Sequence, residues 1–142
     1  MSSIVLSFED MKHISMFEDL TAAHAVDCVI EEDRIIFVIK QGDMGLAIGK
    51  AGSGIKKANQ AFGKSVEVVQ ASEDPDDFIR NSFGPGITVK SVQISEKNDV
   101  KSAVVDVEKK DLGLAIGKGG RTIKKVKLLA SRHFGIDDVK LA

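Results

Sequence analysis

Met11, Ile14, Phe17 and Leu20 recur every three positions behind Ser7-Phe8-Glu9-Asp10, where a hydroxyl and a carboxylate three residues apart can satisfy the backbone at a helix start. That spacing predicts a helix with one apolar stripe. β-branched runs at 25–30 and 35–39 predict two strands. A short helix comes next, with Asp43 as its cap, and then a second helix with apolar spacing as far as Phe62-Gly63, where glycine can take the left-handed helix-ending conformation. A strand at 65–69 closes the first half. The second half repeats the order. Asp74 followed by Pro75 marks a helix start, and Gly84-Pro85-Gly86 marks its stop. Strands are expected at 87–94 and 103–107, a short helix capped by Asp111, a helix running to Phe134-Gly135, and a strand at 138–141. The last long helix is four residues longer than its counterpart, about one turn. Each half thus reads helix, strand, strand, short helix, loop, helix, strand, which is an α+β pattern.

Sliding the chain on itself by 68 positions aligns DMGLAIGKAGSGIKK, from Asp43 to Lys57, with DLGLAIGKGGRTIKK, from Asp111 to Lys125. Eleven of those fifteen positions are identical, so the chain carries two copies of one structural unit. The expected domains are 1–72 and 73–142. The connection at 70–73 is too short for a flexible tether, and the two units are expected to pack as one rigid body.

Composition narrows the function. Of 142 residues, 43% are hydrophobic and 29% charged, the balance of a soluble globular protein. No apolar run approaches the ~20 residues that span a bilayer, and the N-terminus lacks a basic stretch followed by an apolar one. A cytoplasmic protein without membrane contact is expected. Cys28 is alone, which excludes an internal disulfide or a cysteine-rich zinc site and suits a small buried apolar position. His13, His24 and His133 are too scattered for a metal site, and no serine or cysteine has a base partner in the pattern. The protein is therefore expected not to be an enzyme and to need no cofactor. The formal net charge is −1, but it is unevenly spread. Residues 1–40 hold eight acids against three bases, and residues 109–132 hold eight bases against Asp111 alone. A basic patch lies in an otherwise acidic protein.

That patch coincides with a repeated motif. Gly49-Lys50-Ala51-Gly52 and Gly117-Lys118-Gly119-Gly120 each join the short helix to the next one. Glycine at both ends lets the backbone turn sharply and approach a ligand that a Cβ would fend off. The amides opening the next helix lack intrahelical partners and carry the positive end of its dipole, which suits phosphate. Lys50 and Lys118 add charge inside the loops, and Lys56, Lys57, Arg121, Lys124 and Lys125 come within two turns. A single G-x-x-G is weak evidence; two in the same context, each with an internal lysine and two lysines beyond it, are much stronger. A nucleotide-binding loop does not fit. Gly45 and Gly49 enclose three residues rather than four, and Ala51 and Gly119 stand where serine or threonine would coordinate magnesium.

The I-G-K-x-G core in its helix–loop–helix setting resembles the KH domain, whose G-x-x-G loop clamps four nucleotides of a single strand. With a helix and strand ahead of the core, the order resembles the type II form, α-β-β-α-α-β, with a small mixed three-stranded sheet packed on helices. The tandem pair, covering nearly the whole chain, resembles the short archaeal form of the NusA transcription-factor family. The resemblance implies binding of single-stranded RNA in transcription termination or antitermination, through Gly49, Lys50, Ala51, Gly52, Lys56 and Lys57 in one copy. In the other it implies Gly117, Lys118, Gly119, Gly120, Arg121, Lys124 and Lys125. RNA polymerase is a further candidate partner, and a monomer is expected. The first copy has Ser53-Gly54 where the second has Arg121-Thr122, so the first loop should grip less firmly.

With no Trp, no Tyr and few Phe, stacking on bases has little material, and an apolar groove is expected to supply base contact. Ile48, Ile55, Ile116 and Ile123 are its candidate lining, although a core position is the commoner fate of each. Glu9, Asp10, Glu18 and Asp19 on the first helix read as a solvated face or a protein-contact surface. Rival readings are a ribosome-associated or RNA-processing KH protein, a protein-interaction scaffold, and a single-stranded DNA binder.

Overall fold

The computed structural model of the protein describes residues 4–142. The described chain divides into two compact units, one over residues 5–71 and the other over 72–142 together with residue 4. In the first, α1 (Phe8–Thr21) precedes the strands β1 (Ala25–Ile30) and β2 (Arg34–Ile39). The short α2 (Met44–Ile48), α3 (Ser53–Phe62) and β3 (Ser65–Gln70) complete it. The second contains α4 (Pro75–Phe83), β4 (Val89–Lys97), β5 (Val100–Val107), α5 (Leu112–Ile116), α6 (Arg121–Phe134) and β6 (Asp138–Leu141).

Both sheets have the same mixed topology. β2 lies between antiparallel β1 and parallel β3, and β5 lies between antiparallel β4 and parallel β6. A parallel neighbour needs a crossover, and the α2–α3 and α5–α6 pairs supply it. Each helix pair is thereby fixed against its sheet. The expected α-β-β-α-α-β order is what the chain adopts.

Local signals act where the sequence places them. Ser7 and Asp10 form a reciprocal capping box, each side chain bonding the other's backbone N–H at 3.0 Å. Asp74 accepts from Asp76 N–H at 3.1 Å, and Pro75 occupies the first helical position. Gly63 and Gly135 end α3 and α6 in the left-handed conformation. The cores arise from periodicity: Ile35, Phe37 and Ile39 face inward from β2, with Phe17 stacked on Phe37 at 4.2 Å between ring centroids. In the second unit Ala103, Val105 and Val107 face inward from β5 while Val104 faces out. Cys28 is buried.

Two elements differ from expectation. Ile14 and Phe17 of the α1 stripe are buried and Leu20 half-buried, but Met11 is 50% exposed. A three-residue spacing drifts round the helix by about 60° per step, so the stripe leaves the core at one end. The β4–β5 hairpin is also longer than the two expected runs. It turns through Asn98-Asp99, both with positive φ (53° and 63°), the conformation of a two-residue type I′ turn that these residues favour.

Candidate nucleic-acid interface

The two loops are near-copies in backbone geometry. α2 ends where Gly49 N–H reaches Gly45 O at 2.9 Å, and the turn closes with Gly52 N–H to Gly49 O at 3.2 Å. The second copy repeats this with Gly117 to Gly113 at 2.9 Å and Gly120 to Gly117 at 3.0 Å. The glycines at the two ends of the motif have different roles. Gly49 (φ 74°, ψ 170°) and Gly117 (φ 78°, ψ 166°) hold a conformation essentially confined to glycine. A Cβ on Gly49 would lie 2.6 Å from Gly54 N, and one on Gly117 would lie 2.7 Å from Thr122 N. These first glycines are required by the protein itself. Gly52 (φ 77°) and Gly120 (φ 81°) are left-handed, yet no protein atom lies closer than 3.5 Å to a Cβ on either. The space beside them is open to a ligand.

Ala51 also sits in the left-handed region, at φ 55° and ψ 30°, where its repeat partner is Gly119. For an L-residue this costs ~1–2 kcal/mol. Ala51→Gly removes that strain but adds freedom to the unfolded chain, worth ~0.4–1 kcal/mol. A net stabilisation of roughly 0.5–1 kcal/mol is expected by urea denaturation; a destabilised variant would refute the strain.

The helix starts beyond the loops favour anions. α1 and α4 begin with side-chain caps and with acids in the first turn. α3 and α6 begin at Gly52 and Gly120, which offer no side chain, and neither has an acid in its first turn. Their opening amides keep the full positive end of the helix dipole for a ligand. Lys50, Lys56, Lys57, Lys118, Gly119 and Lys124 are exposed around these ends, with Arg121 half-buried.

Lys125 departs from the expected surface. It is buried at 8% exposure, whereas its repeat partner Lys57 is exposed. Identical letters in the two copies therefore serve different surroundings. Ile48 and Ile116 are 37% and 41% exposed beside the loops, while Ile55 and Ile123 are half-buried and Ile123 packs on the second core. Leu46 and Leu114, at 51% and 60% exposure, join the surface without any signal in the apolar spacing. They hold the same place in the repeat, and the five-residue helices α2 and α5 each bury only one residue fully, Ala47 or Ala115, leaving Leu46, Ile48, Leu114 and Ile116 exposed. Of the seven phenylalanines only Phe8 is exposed, and it lies on α1, so the loops have no aromatic platform.

Asp43 and Asp111 do not cap their helices through their side chains. Asp43 Oδ2 instead accepts from the His24 backbone N–H at 2.9 Å and meets His24 Nδ1 at 3.0 Å. Asp111 Oδ2 accepts from the Thr88 N–H at 2.8 Å. Both carboxylates thus tie the loop-bearing helix pair to the start of the sheet, next to a bulge that recurs in β1 and β4. The backbone bond from His24, then its side-chain bond, hold the Asp43 carboxyl below its ordinary value. A lowered carboxyl stabilises the fold above its unfolded value and loses that contribution as pH falls through the folded one. Asp43→Asn is therefore expected to be less stable than wild type near neutrality, with the gap closing only below the ordinary carboxyl value of 3.8. Thermal unfolding from pH 7 to 3 tests this; a gap that is constant throughout would dismiss the linkage.

Two mixed-sheet units, each carrying a G-x-x-G turn between a short and a long helix, define a tandem KH protein with the type II order of elements. The KH-domain family model matches residues 12–98, and the model of the NusA-like second KH domain matches 75–141. The chain belongs to the NusA-like family of KH-domain, RNA-binding transcription factors. It is 38% identical to the probable transcription termination protein NusA of Halococcus morrhuae, over 98% of this chain and 99% of that one. It is 40% identical to the protein of the same description from Halobacterium salinarum, with the same coverage. The crystal structure of APE1850 superposes with a TM-score of 0.87 at 37% identity, covering 96% of this chain and all of that one.

Proposed function

We propose that the protein holds single-stranded RNA on the turns at 49–52 and 117–120 and acts on transcript termination or antitermination, with RNA polymerase as the machinery it serves. The two KH domains, 1–72 and 73–142, are its working units. Gly52 and Gly120 admit the RNA backbone, the amides opening α3 and α6 bind phosphate, and Lys50 and Lys118 add charge inside the turns. Lys56, Lys57, Arg121 and Lys124 flank the strand, and Lys125, at 8% exposure, offers the least surface of the basic residues expected here. Such contacts position RNA without reading its sequence; Leu46, Ile48, Leu114 and Ile116 offer the bases an apolar surface.

One observation carries most of this reading: the two helices after the turns lack both side-chain caps and first-turn acids, although α1 and α4 have both. The polymerase assignment rests on the relatives, which are described as transcription termination proteins. The chain acts without catalysis, as a monomer, in the cytoplasm. Among the described residues no helix is long and apolar enough to cross a membrane.

Titration of fluorescent single-stranded RNA and of DNA of matched sequence, at two salt concentrations, tests the reading. Binding should weaken with salt, with a logarithmic slope of about −0.7 for each phosphate neutralised. Preference for RNA would report contact with the 2′-hydroxyl. Absence of salt-dependent binding to either would leave the loops as structural turns.

A further inference from the structure

We propose that the cavity beneath the β4–β5 hairpin of the second unit receives a basic side chain of a protein partner, an arginine or lysine flanked by apolar residues. The cavity measures about 460 Å³. Ile94 of the hairpin, Phe134 at the end of α6 and Ile136 just beyond it supply its apolar lining, and Glu73, Glu96 and Lys101 line it as well. That volume lies within the range of sites that enclose small ligands, ~300–1,000 Å³.

The internal repeat shows how the space arises and what suits it. The two hairpins correspond as far as the pairs Ile30↔Ile35 and Ile94↔Ala103. The first then turns back at once, whereas the second continues through Ser95↔Ser102, Glu96↔Lys101 and Lys97↔Val100. Beside the shorter hairpin, the residue after the helix-ending glycine is Lys64, and its Nζ donates to Glu31 O at 2.8 Å. The first unit thus lays its own lysine against the hairpin. In the second unit the residue after the helix-ending glycine is Ile136, which is buried and sends no charge outward. In the second unit the hairpin is longer and the residue after the glycine carries no ammonium, so Ile136 cannot make the contact that Lys64 makes.

Charge points to the same occupant. Glu73 and Glu96 are exposed and outnumber Lys101. Asp137 adds a further carboxylate nearby, its Oδ2 accepting from the Lys101 backbone N–H at 2.8 Å while its own N–H donates to Lys101 O at 2.8 Å. This reciprocal pair also fixes the hairpin arm against the end of α6. A phosphate would be repelled here. The turn at 117–120 lies at the opposite end of the fourteen-residue α6, roughly 20 Å away, so the cavity is separate from the proposed RNA surface. An alkyl stem against the isoleucines with its cation between the glutamates satisfies both halves of the lining.

The test uses the full chain with labelled isoleucine methyl groups, titrated with the capped peptide acetyl-Leu-Arg-Leu-amide and followed by NMR. Saturable shifts are expected at Ile94 and Ile136, at least fivefold weaker in Glu73→Gln/Glu96→Gln and stronger in Lys101→Gln. The matching peptide with glutamate in place of arginine should leave both signals unmoved. The proposal is overturned by no saturable shift up to ~10 mM peptide, by equal response to the glutamate peptide, or by unchanged binding to the double glutamine variant. Saturation by benzamidine but not by the arginine peptide would make this a small-molecule site and equally overturn it. RNA affinity of the glutamine variant should match wild type, so failure here and failure of the RNA reading are distinguishable.

Discussion

Lys118→Asp/Gly119→Asp is expected to weaken binding of single-stranded RNA at least tenfold while leaving the fold intact. Two effects combine. The substitution reverses the lysine within the second turn and adds another carboxylate where phosphate would rest against the opening amides of α6. Charge-assisted hydrogen bonds are worth ~1.5–3 kcal/mol each, and every 1.4 kcal/mol is tenfold in affinity, so losing one such contact already meets the expectation. Folding should survive because Gly119 is left-handed with no atom within 4 Å of where a Cβ would stand, and aspartate is among the residues that tolerate this region. Lys50→Asp/Ala51→Asp should act in the same direction but less strongly, since Ser53 stands where the second copy has Arg121. Circular dichroism confirms folding and fluorescence anisotropy reads affinity. A folded variant of the second loop that binds RNA like wild type would sink the phosphate-clamp reading.

Gly117→Ala should be the most damaging single methyl group in the second unit. Its φ of 78° and ψ of 166° lie where only glycine is comfortable, which costs ~1–3 kcal/mol for alanine. The new Cβ would stand 2.7 Å from Thr122 N, a backbone atom at the start of α6, and overpacking of this kind adds ~1–3 kcal/mol. A loss of roughly 2–6 kcal/mol results from the two together. Gly120→Ala makes the contrast. Its nearest neighbour would be the flexible Lys124 Cε at 3.5 Å, so only the left-handed conformation is penalised, by ~1–2 kcal/mol. The milder variant should nonetheless bind RNA poorly, because its methyl group fills space that no protein atom uses. Urea denaturation and RNA titration of both variants separate the roles. Equal destabilisation would mean that the first glycine is not closely packed.

Much of this molecule is legible in the sequence for reasons that act over a few residues. A capping box, an Asp-Pro helix start, glycine helix ends and β-branched runs depend on local backbone geometry, and they produce α1, α4, α3 and the strands of the first unit where they are written. The duplicated DxGLAIGKxG block carries both turns, their lysines and the family resemblance together. Asn98-Asp99 is the local signal for the longer hairpin, one that the β-branched strand pattern does not contain.

Other features depend on what lies opposite. Asp43 and Asp111 carry the letter of a helix cap, but the nearby strand starts offer them N–H donors, and they bond there instead. Lys57 and Lys125 share a position in the repeat, yet one is exposed and the other buried. Met11 fits the α1 stripe by spacing and still faces solvent. The sequence by itself determined the elements, their duplication and the chemistry of the two turns, because propensity, periodicity and glycine conformations are local properties of the chain. Only the tertiary structure decided which lysines face outward, which carboxylates brace the turns and where a cavity opens, because burial and close approach depend on residues distant in sequence.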